Sequence, residues 1–330
     1  MKLLVVGMGS IGQRHVRNLR ALGDVEILAY RRRGLPLPED LRGDWLREFY
    51  DLDAALSKGP VAALVCAPPA LQVESARRVV EAGCHLFIEK QVSDSLDGLN
   101  ALVAEVERRD LATLVGYNLR FHPQLKRIHD FVAEGRVGRV TSIRAEVGQY
   151  LPDWHPDEDH RQTFSASRDL GGGAILDLIH EIDYVHWLGG PVSRVSCFAQ
   201  HVSELEIDTE ASAEILLGFE AGHIGSVHVD YVQRTLGRSC KIIGTEGTII
   251  WDFVEDELRL FEASNPVWQV FHQQEFVRNT MYLEEMRHFL ACVEGRSKPV
   301  VDLRQGVAIL RIALAARESA ESQQVVEISR

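Results

Sequence analysis

In the first third of the chain, short uninterrupted apolar runs alternate with stretches in which apolar residues recur every three or four positions. Runs of the first kind fit strands buried on both faces, and stretches of the second kind fit helices that cover them. Strands are predicted over residues 2–6, 25–30, 62–67, 85–89 and 113–116, with helices over 13–22, 71–81 and 96–109. Strands alternating with helices predict a doubly wound parallel sheet. After about residue 120 the pattern changes. One helix over 124–134 precedes longer segments that alternate in polarity, at 140–150, 194–200, 211–218, 225–232 and 239–243. Alternation at period two implies one buried and one exposed face, hence a mostly antiparallel sheet. A last apolar helix at about 305–319 follows Pro299 and is suited to pack back on the first domain. The fold class is α/β: a parallel-sheet domain over residues 1–120 and an α+β domain with an open-faced sheet over 121–330.

A chain of 330 residues has room for two domains, and 45% hydrophobic with 25% charged residues is ordinary for a folded, soluble protein. The formal net charge of −12 argues against nucleic-acid and anionic-membrane partners, which reward a basic surface. No apolar stretch reaches the length of a membrane-spanning helix, and Met1 to Met8 run into a glycine turn without the features of a signal peptide. The five cysteines, Cys66, Cys84, Cys197, Cys240 and Cys292, are odd in number and far apart. They read as reduced thiols of a cytoplasmic protein.

Gly7-Met8-Gly9-Ser10-Ile11-Gly12 follows an apolar strand and opens a helix. Glycines at this spacing allow a tight turn, close backbone approach to a pyrophosphate and close packing of helix on strand, while the helix N-terminus faces the phosphates. The turn therefore predicts a bound nicotinamide dinucleotide; the alternative is a tight turn in an unrelated α/β domain. An acid at the end of the second strand would bond the ribose 2′-hydroxyl of NAD. Here stand Tyr30, Arg31 and Arg32, and guanidinium groups suit the 2′-phosphate of NADP. NADP is favoured over NAD, the alternative being a solvated basic loop. Ala67 and Pro68 at the end of the third predicted strand, and Glu89 and Lys90 at the end of the fourth, complete the cofactor-binding set.

With these stand Glu89-Lys90-Gln91, the stretch from Gly116 to Pro123 that holds Asn118, Arg120 and His122, the run from Gly171 through His180-Glu181-Ile182-Asp183, and Ile243 to Thr248. In order and spacing the chain resembles the Gfo/Idh/MocA family of sugar and cyclitol dehydrogenases. The resemblance implies a Rossmann domain, an open-faced sheet domain and hydride transfer at a sugar carbon. Lys90 matches the lysine of the family's Glu-Lys-Pro motif, where an ammonium can bond the reacting oxygen; Gln91 replaces the usual proline. His180 matches the catalytic histidine, a general acid/base. The alternatives are a surface lysine and a core histidine. The family commonly has an aspartate four residues before this histidine. This chain has Leu176 there and Asp177 three residues before; positions three apart share a helix face, which suits Asp177 to orient the imidazole. Asp183 is the competing partner. Asn118, Arg120 and His122 are placed by the resemblance near nicotinamide or substrate.

The loop Tyr150-Leu151-Pro152-Asp153-Trp154-His155-Pro156 is dense in polar and aromatic groups. Trp154 suits stacking on a sugar ring, and Tyr150, Asp153, His155 and Arg161 suit hydroxyl or carboxylate groups; the alternative is a loop packed over the sheet. This loop resembles the family branch associated with bacterial surface-glycan and nonulosonate sugars. His186 lies six residues beyond His180, off the shared face, so no catalytic metal is predicted. A retained nicotinamide performing net hydrolysis, epimerisation or elimination, and a non-catalytic dinucleotide sensor, are the rival readings. The open sheet face predicts a homodimer or homotetramer.

Overall fold

The computed structural model describes residues 1–330 apart from 33, 35, 155–157, 274–275 and 329–330. The chain forms two compact units, residues 1–121 with 277–307 and residues 122–276 with 308–330.

In the first unit six parallel strands, β1 (Lys2–Val6), β2 (Glu26–Tyr30), β3 (Leu46–Phe49), β4 (Ala62–Val65), β5 (His85–Ile88) and β6 (Thr113–Val115), lie in the order β3-β2-β1-β4-β5-β6. Helices α1 (Ser10–Leu22), α2 (Leu52–Leu56), α3 (Gln72–Glu81) and α4 (Leu99–Arg108) provide the crossovers. The central strands β1, β4 and β5 are almost wholly enclosed, which explains their unbroken apolar runs. β3 and α2 lie outside the predicted set. β3 is an edge strand of four residues of which only Phe49 is buried, too short and too polar to announce itself by periodicity. The Asp51 carboxylate caps α2 by accepting the Ala54 N–H at 2.7 Å.

In the second unit α5 (Pro123–Ala133), α6 (Ala174–Asp177) and α7 (His180–Gly189) accompany a nine-stranded sheet. Its strands are β7 (Val140–Gly148), β8 (Val192–Gln200), β9 (Ser212–Phe219), β10 (Ile224–Asp230), β11 (Gly237–Gly244), β12 (Gly247–Asp252), β13 (Glu257–Glu262), β14 (Asn265–His272) and the short β15 (Val326–Glu327). The order is β14-β13-β12-β11-β7-β10-β9-β8-β15, antiparallel throughout except β7 beside β10. One face is apolar, with Ile143, Val147, Ile215, Val229, Ile242 and Trp251 buried, and α7 packs against β7 and β10. The other face carries Arg144, Glu146, Glu214 and Lys241 together with exposed Phe198, Leu216, Ile224 and Val270. β12 to β14 are further strands beyond those predicted.

The last two helices are α8 (Asn279–Val293) and α9 (Leu303–Ser322). α8 packs on α1 within the first unit, where the Val115 N–H also donates to the Val301 carbonyl at 3.0 Å. α9 begins in the first unit and continues into the second from Ala308. Among the described residues no helix is long and apolar enough to cross a membrane, and no cluster of His, Cys, Asp or Glu is arranged to hold a metal ion.

Candidate active site

The turn after β1 is tied to the neighbouring strand, the Gly7 N–H donating to the Tyr30 carbonyl at 3.0 Å. Gly7 has φ +99°, and a Cβ on it would lie 2.8 Å from the Cys66 carbonyl oxygen. A Cβ on Gly12 would lie 2.0 Å from the Gly7 carbonyl oxygen, so α1 reaches the strand only because Gly12 has no side chain. Around Gly9 the reverse holds: a Cβ there would meet nothing within 4 Å, and Gly9 and Ser10 are exposed while Ile11 is half-buried. α1 starts without a side-chain cap or an acidic residue in its first turn, leaving its first N–H donors to an anion. Two glycines that pack and one that leaves open space fit a pyrophosphate lying across the turn.

Ala67 and Pro68 follow β4, and Glu89 and Lys90 follow β5. Because β1, β4 and β5 are parallel neighbours, the glycine turn and these residues share the carboxyl edge of one sheet, where α/β folds bind ligands. Glu89 is 7% exposed. One of its oxygens lies 2.5 Å from His15 Nε2 and the other accepts the Lys90 backbone N–H at 3.2 Å. His15 is fully buried, edge-on to Phe87. The Lys90–Gln91 peptide is cis, with Gln91 buried and Lys90 half-exposed. Beneath this edge, burial and the neighbouring Glu89 hold the Glu285 carboxyl well above the usual carboxylate range. The same burial, with Glu89 and Glu285 nearby, pushes the Cys66 thiol up. Neither His15 nor Glu285 was singled out from sequence. His15 follows the last glycine of the turn by three residues, a local signal; Glu285 lies almost two hundred residues from Glu89 and gave none.

At the end of β2 the guanidinium of Arg31 is nearly enclosed and donates to Glu48 Oε2 at 2.5 Å. Tyr50 OH donates to the same oxygen at 3.3 Å. The acid that sequence reasoning sought on β2 is thus supplied by β3, opposite an arginine. Arg32 is exposed. Asn118 and Arg120 are both 5% exposed, and Arg120 Nη1 donates to the Val300 carbonyl at 3.1 Å.

In the second unit the helix assumed to carry Asp177 and His180 together is broken. α6 ends at Asp177 and α7 begins at His180, with Leu178 at ψ +30° between them. The shared helix face inferred from their spacing of three is therefore corrected. Asp177 is instead buried, its Oδ2 accepting from Ser165 Oγ at 2.7 Å and Tyr231 OH at 3.1 Å. His180 is half-buried at the first turn of α7. The glycines before α6 are clamped by Arg317, which pairs with Glu210 at 3.1 Å, while Glu210 accepts the Ile175 N–H at 3.2 Å. Asp183 is fully buried, and the neighbouring Glu181 pairs with Arg238 at 2.7 Å.

The aromatic loop joins the Asp177 group through Tyr231, whose ring meets Trp154 edge-on at 5.4 Å. Trp154 Nε1 donates to the Gln149 carbonyl at 3.2 Å, and the Arg234 guanidinium lies 3.8 Å from the centre of the Tyr150 ring. Asp153 is exposed; His155 lies outside the described residues. Arg161 is not gathered here but bridges Asp159 and Glu206 on the surface. His122 is 1% exposed within Trp251, Phe253 and Phe276, and burial pulls its pKa down to about 4. It offers no face to a ligand. Tyr231, near the end of a predicted strand, was missed: it is fully buried, and its partner Asp177 lies more than fifty residues away in sequence.

Residues 1–117 match the oxidoreductase family with an NAD-binding Rossmann fold, and residues 125–250 match the GFO/IDH/MocA C-terminal domain. A myo-inositol 2-dehydrogenase of Thermotoga maritima is 25% identical over 99% of this chain and 98% of its own length. A levoglucosan dehydrogenase of Pseudarthrobacter phenanthrenivorans is 26% identical over 61% of this chain and 58% of its own. Among solved structures, a levoglucosan dehydrogenase in complex with NADH superposes with a TM-score of 0.89 at 20% identity, over 100% of this chain and 99% of that one. With a glycine turn shaped for pyrophosphate at the head of one unit and a single-faced antiparallel sheet in the other, this chain belongs to the Gfo/Idh/MocA family of NAD-binding oxidoreductases.

Proposed function

We propose that this protein is a nicotinamide-dependent dehydrogenase or reductase that interconverts a carbinol and a carbonyl on a sugar, cyclitol or sugar derivative. The observation that carries the reading is the carboxyl edge of the parallel sheet, which the open space at Gly9 shares with Lys90 after β5. When bound, the nicotinamide accepts or returns the hydride. The chain supplies the rest: Gly7, Gly9, Ser10, Ile11 and Gly12 hold the pyrophosphate, while Ala67, Pro68 and Glu89 border it. The Lys90 ammonium bonds the reacting oxygen as charge develops on it, and the His180 imidazole moves the hydroxyl proton. Asp177 acts through Tyr231 and Ser165, fixing the backbone just before His180. Tyr150, Asp153 and Trp154 contribute to the sugar subsite. The dinucleotide is NAD(H) or NADP(H), with the preference for NADP(H) resting on the exposed Arg32.

The test is a panel of sugars, cyclitols and surface-glycan sugar precursors assayed with each dinucleotide, in wild type and in Lys90→Ala and His180→Ala. Turnover with one substrate class is expected, with kcat/KM falling about 10²- to 10⁴-fold in each variant and dinucleotide affinity retained. Activity unchanged in both variants would overturn the assignment. We further propose a cytoplasmic homodimer or homotetramer, since the cysteines are free thiols and a second copy would cover Phe198, Leu216 and Ile224. Sedimentation as a monomer at micromolar concentration, in wild type as in Leu216→Glu, would refute the assembly.

A further inference from the structure

The adenosine end of the site holds a feature that the glycine turn does not explain. Arg31 follows β2 directly, and its backbone N–H donates to the Phe49 carbonyl at 3.0 Å, so β3 closes beside it. Its side chain is 8% exposed, against 37% for Glu48. A guanidinium that far out of water needs an anion, and Glu48 supplies one at 2.5 Å. Tyr30, the residue before Arg31, carries the carbonyl that ties down Gly7, so the pair stands next to the phosphate turn, at the position where dinucleotide folds bond the adenosine ribose. Arg32, one residue further, is exposed and makes no ion pair with a described residue.

Two anions then compete for one enclosed guanidinium. A 2′-phosphate, a dianion with three acceptor oxygens, would be drawn to Arg31 but would meet the Glu48 carboxylate already bound there. The 2′-hydroxyl of NAD(H) carries no charge and meets no such repulsion. We propose that Glu48 sets dinucleotide selectivity. By holding Arg31 it keeps the site open to NAD(H) and limits the hold on NADP(H) to what Arg32 supplies, so the protein binds both. The residue acts on the 2′ position alone, through Arg31, and it lies on a strand that no dinucleotide fingerprint inspects.

The inference rests on the dinucleotide reading above. Dissociation constants for NAD⁺, NADP⁺, 5′-ADP and 2′,5′-ADP are measured by calorimetry on wild type, Glu48→Gln, Arg31→Ala and the double variant. Glu48→Gln is expected to raise the affinity for NADP⁺ relative to NAD⁺ at least about tenfold, with the same shift for 2′,5′-ADP relative to 5′-ADP. The shift is expected to vanish in the Arg31→Ala background, as coupling through one guanidinium requires. An unchanged ratio in Glu48→Gln, or the same shift without Arg31, overturns the role of Glu48 while the dinucleotide reading stands. Failure of wild type to bind either dinucleotide sinks that reading and this inference with it. Should Glu48→Gln unfold, Glu48→Asp, whose shorter carboxylate withdraws from Arg31, is expected to shift the ratio in the same direction, and an unchanged ratio there refutes the proposal.

Discussion

Two histidines outside the proposed chemistry give the molecule opposite responses to pH. His122 is enclosed by aromatic rings, and its pKa falls from 6.5 to about 4 in the folded chain. As pH drops below 6.5 the unfolded chain takes up a proton that the folded chain refuses, so stability is lost progressively between pH 6.5 and 4, by about 3 kcal/mol at most. His228 lies between Glu214 at 2.8 Å and Asp230 at 3.1 Å, and its pKa rises to about 9, chiefly through the Asp230 hydrogen bond. Its contribution is complete below pH 6.5 and disappears as pH rises to about 9. It is worth about 1 kcal/mol, since a third of the side chain meets water. Urea denaturation at pH 4.5, 7 and 9.5 is expected to show His122→Phe flattening the acid limb and His228→Asn the alkaline one. An unaltered acid limb in His122→Phe would contradict the burial argument. Residue geometry was legible in sequence where it is local, as at Gly7, Gly9 and Gly12. It was not where partners come from afar: Glu48 for Arg31, Tyr231 for Asp177, and Trp251, Phe253 and Phe276 around His122.

Elements were read correctly where one physical demand dominated. Strands buried on both faces, such as β1 and β4, admit only apolar residues, and the exposed and buried sides of β7 to β11 impose strict alternation. The failures fall where that demand weakens. β3 is an edge strand, β14 is an exposed edge of the larger sheet, and the stretch from Gly171 to Gly189 has helical composition but bends between Asp177 and His180. Such a bend leaves no trace in spacing, because Leu178 and Ile179 are ordinary helix residues whose conformation is set by packing. The glycine turn is the element most exposed to a single change. In Gly12→Ala the new methyl would meet the Gly7 carbonyl oxygen, which is backbone and cannot turn aside. A cost of about 3 kcal/mol and an at least tenfold weaker hold on NAD⁺ are expected, by thermal melting and calorimetry. Gly9→Ala, with open space around it, is expected to keep wild-type stability while losing dinucleotide affinity. Equal melting losses in the two variants would refute this division of labour.

At the level of the whole molecule, sequence reasoning divided the chain once, near residue 120. The structure builds the first unit from two segments, 1–121 and 277–307. Pattern alone could not reveal this, because α8 is an amphipathic helix with nothing in its composition to say which sheet it serves. The joint is substantial: Leu303 N–H donates to Thr113 Oγ1 at 3.0 Å, Phe289 packs on Phe87 at 5.6 Å between ring centres, and Met286 is wholly buried. A chain cut after Phe121 is therefore expected not to fold, showing little protection in hydrogen exchange, and adding residues 277–307 in trans should restore protection at Phe87 and Val115. A stable, protected fragment of residues 1–121 would contradict that expectation.

The split first unit also bears on birth order. A nascent chain leaves the ribosome from its N-terminus, and domains commonly fold as they emerge. Here the parallel sheet is synthesised first yet lacks its covering helix until Asn279–Val293 arrives, after the entire nine-stranded sheet except β15 has been made. During translation the edge residues around β5 and β6 wait in water or in the keeping of a chaperone, and the half that appears first is among the last to close.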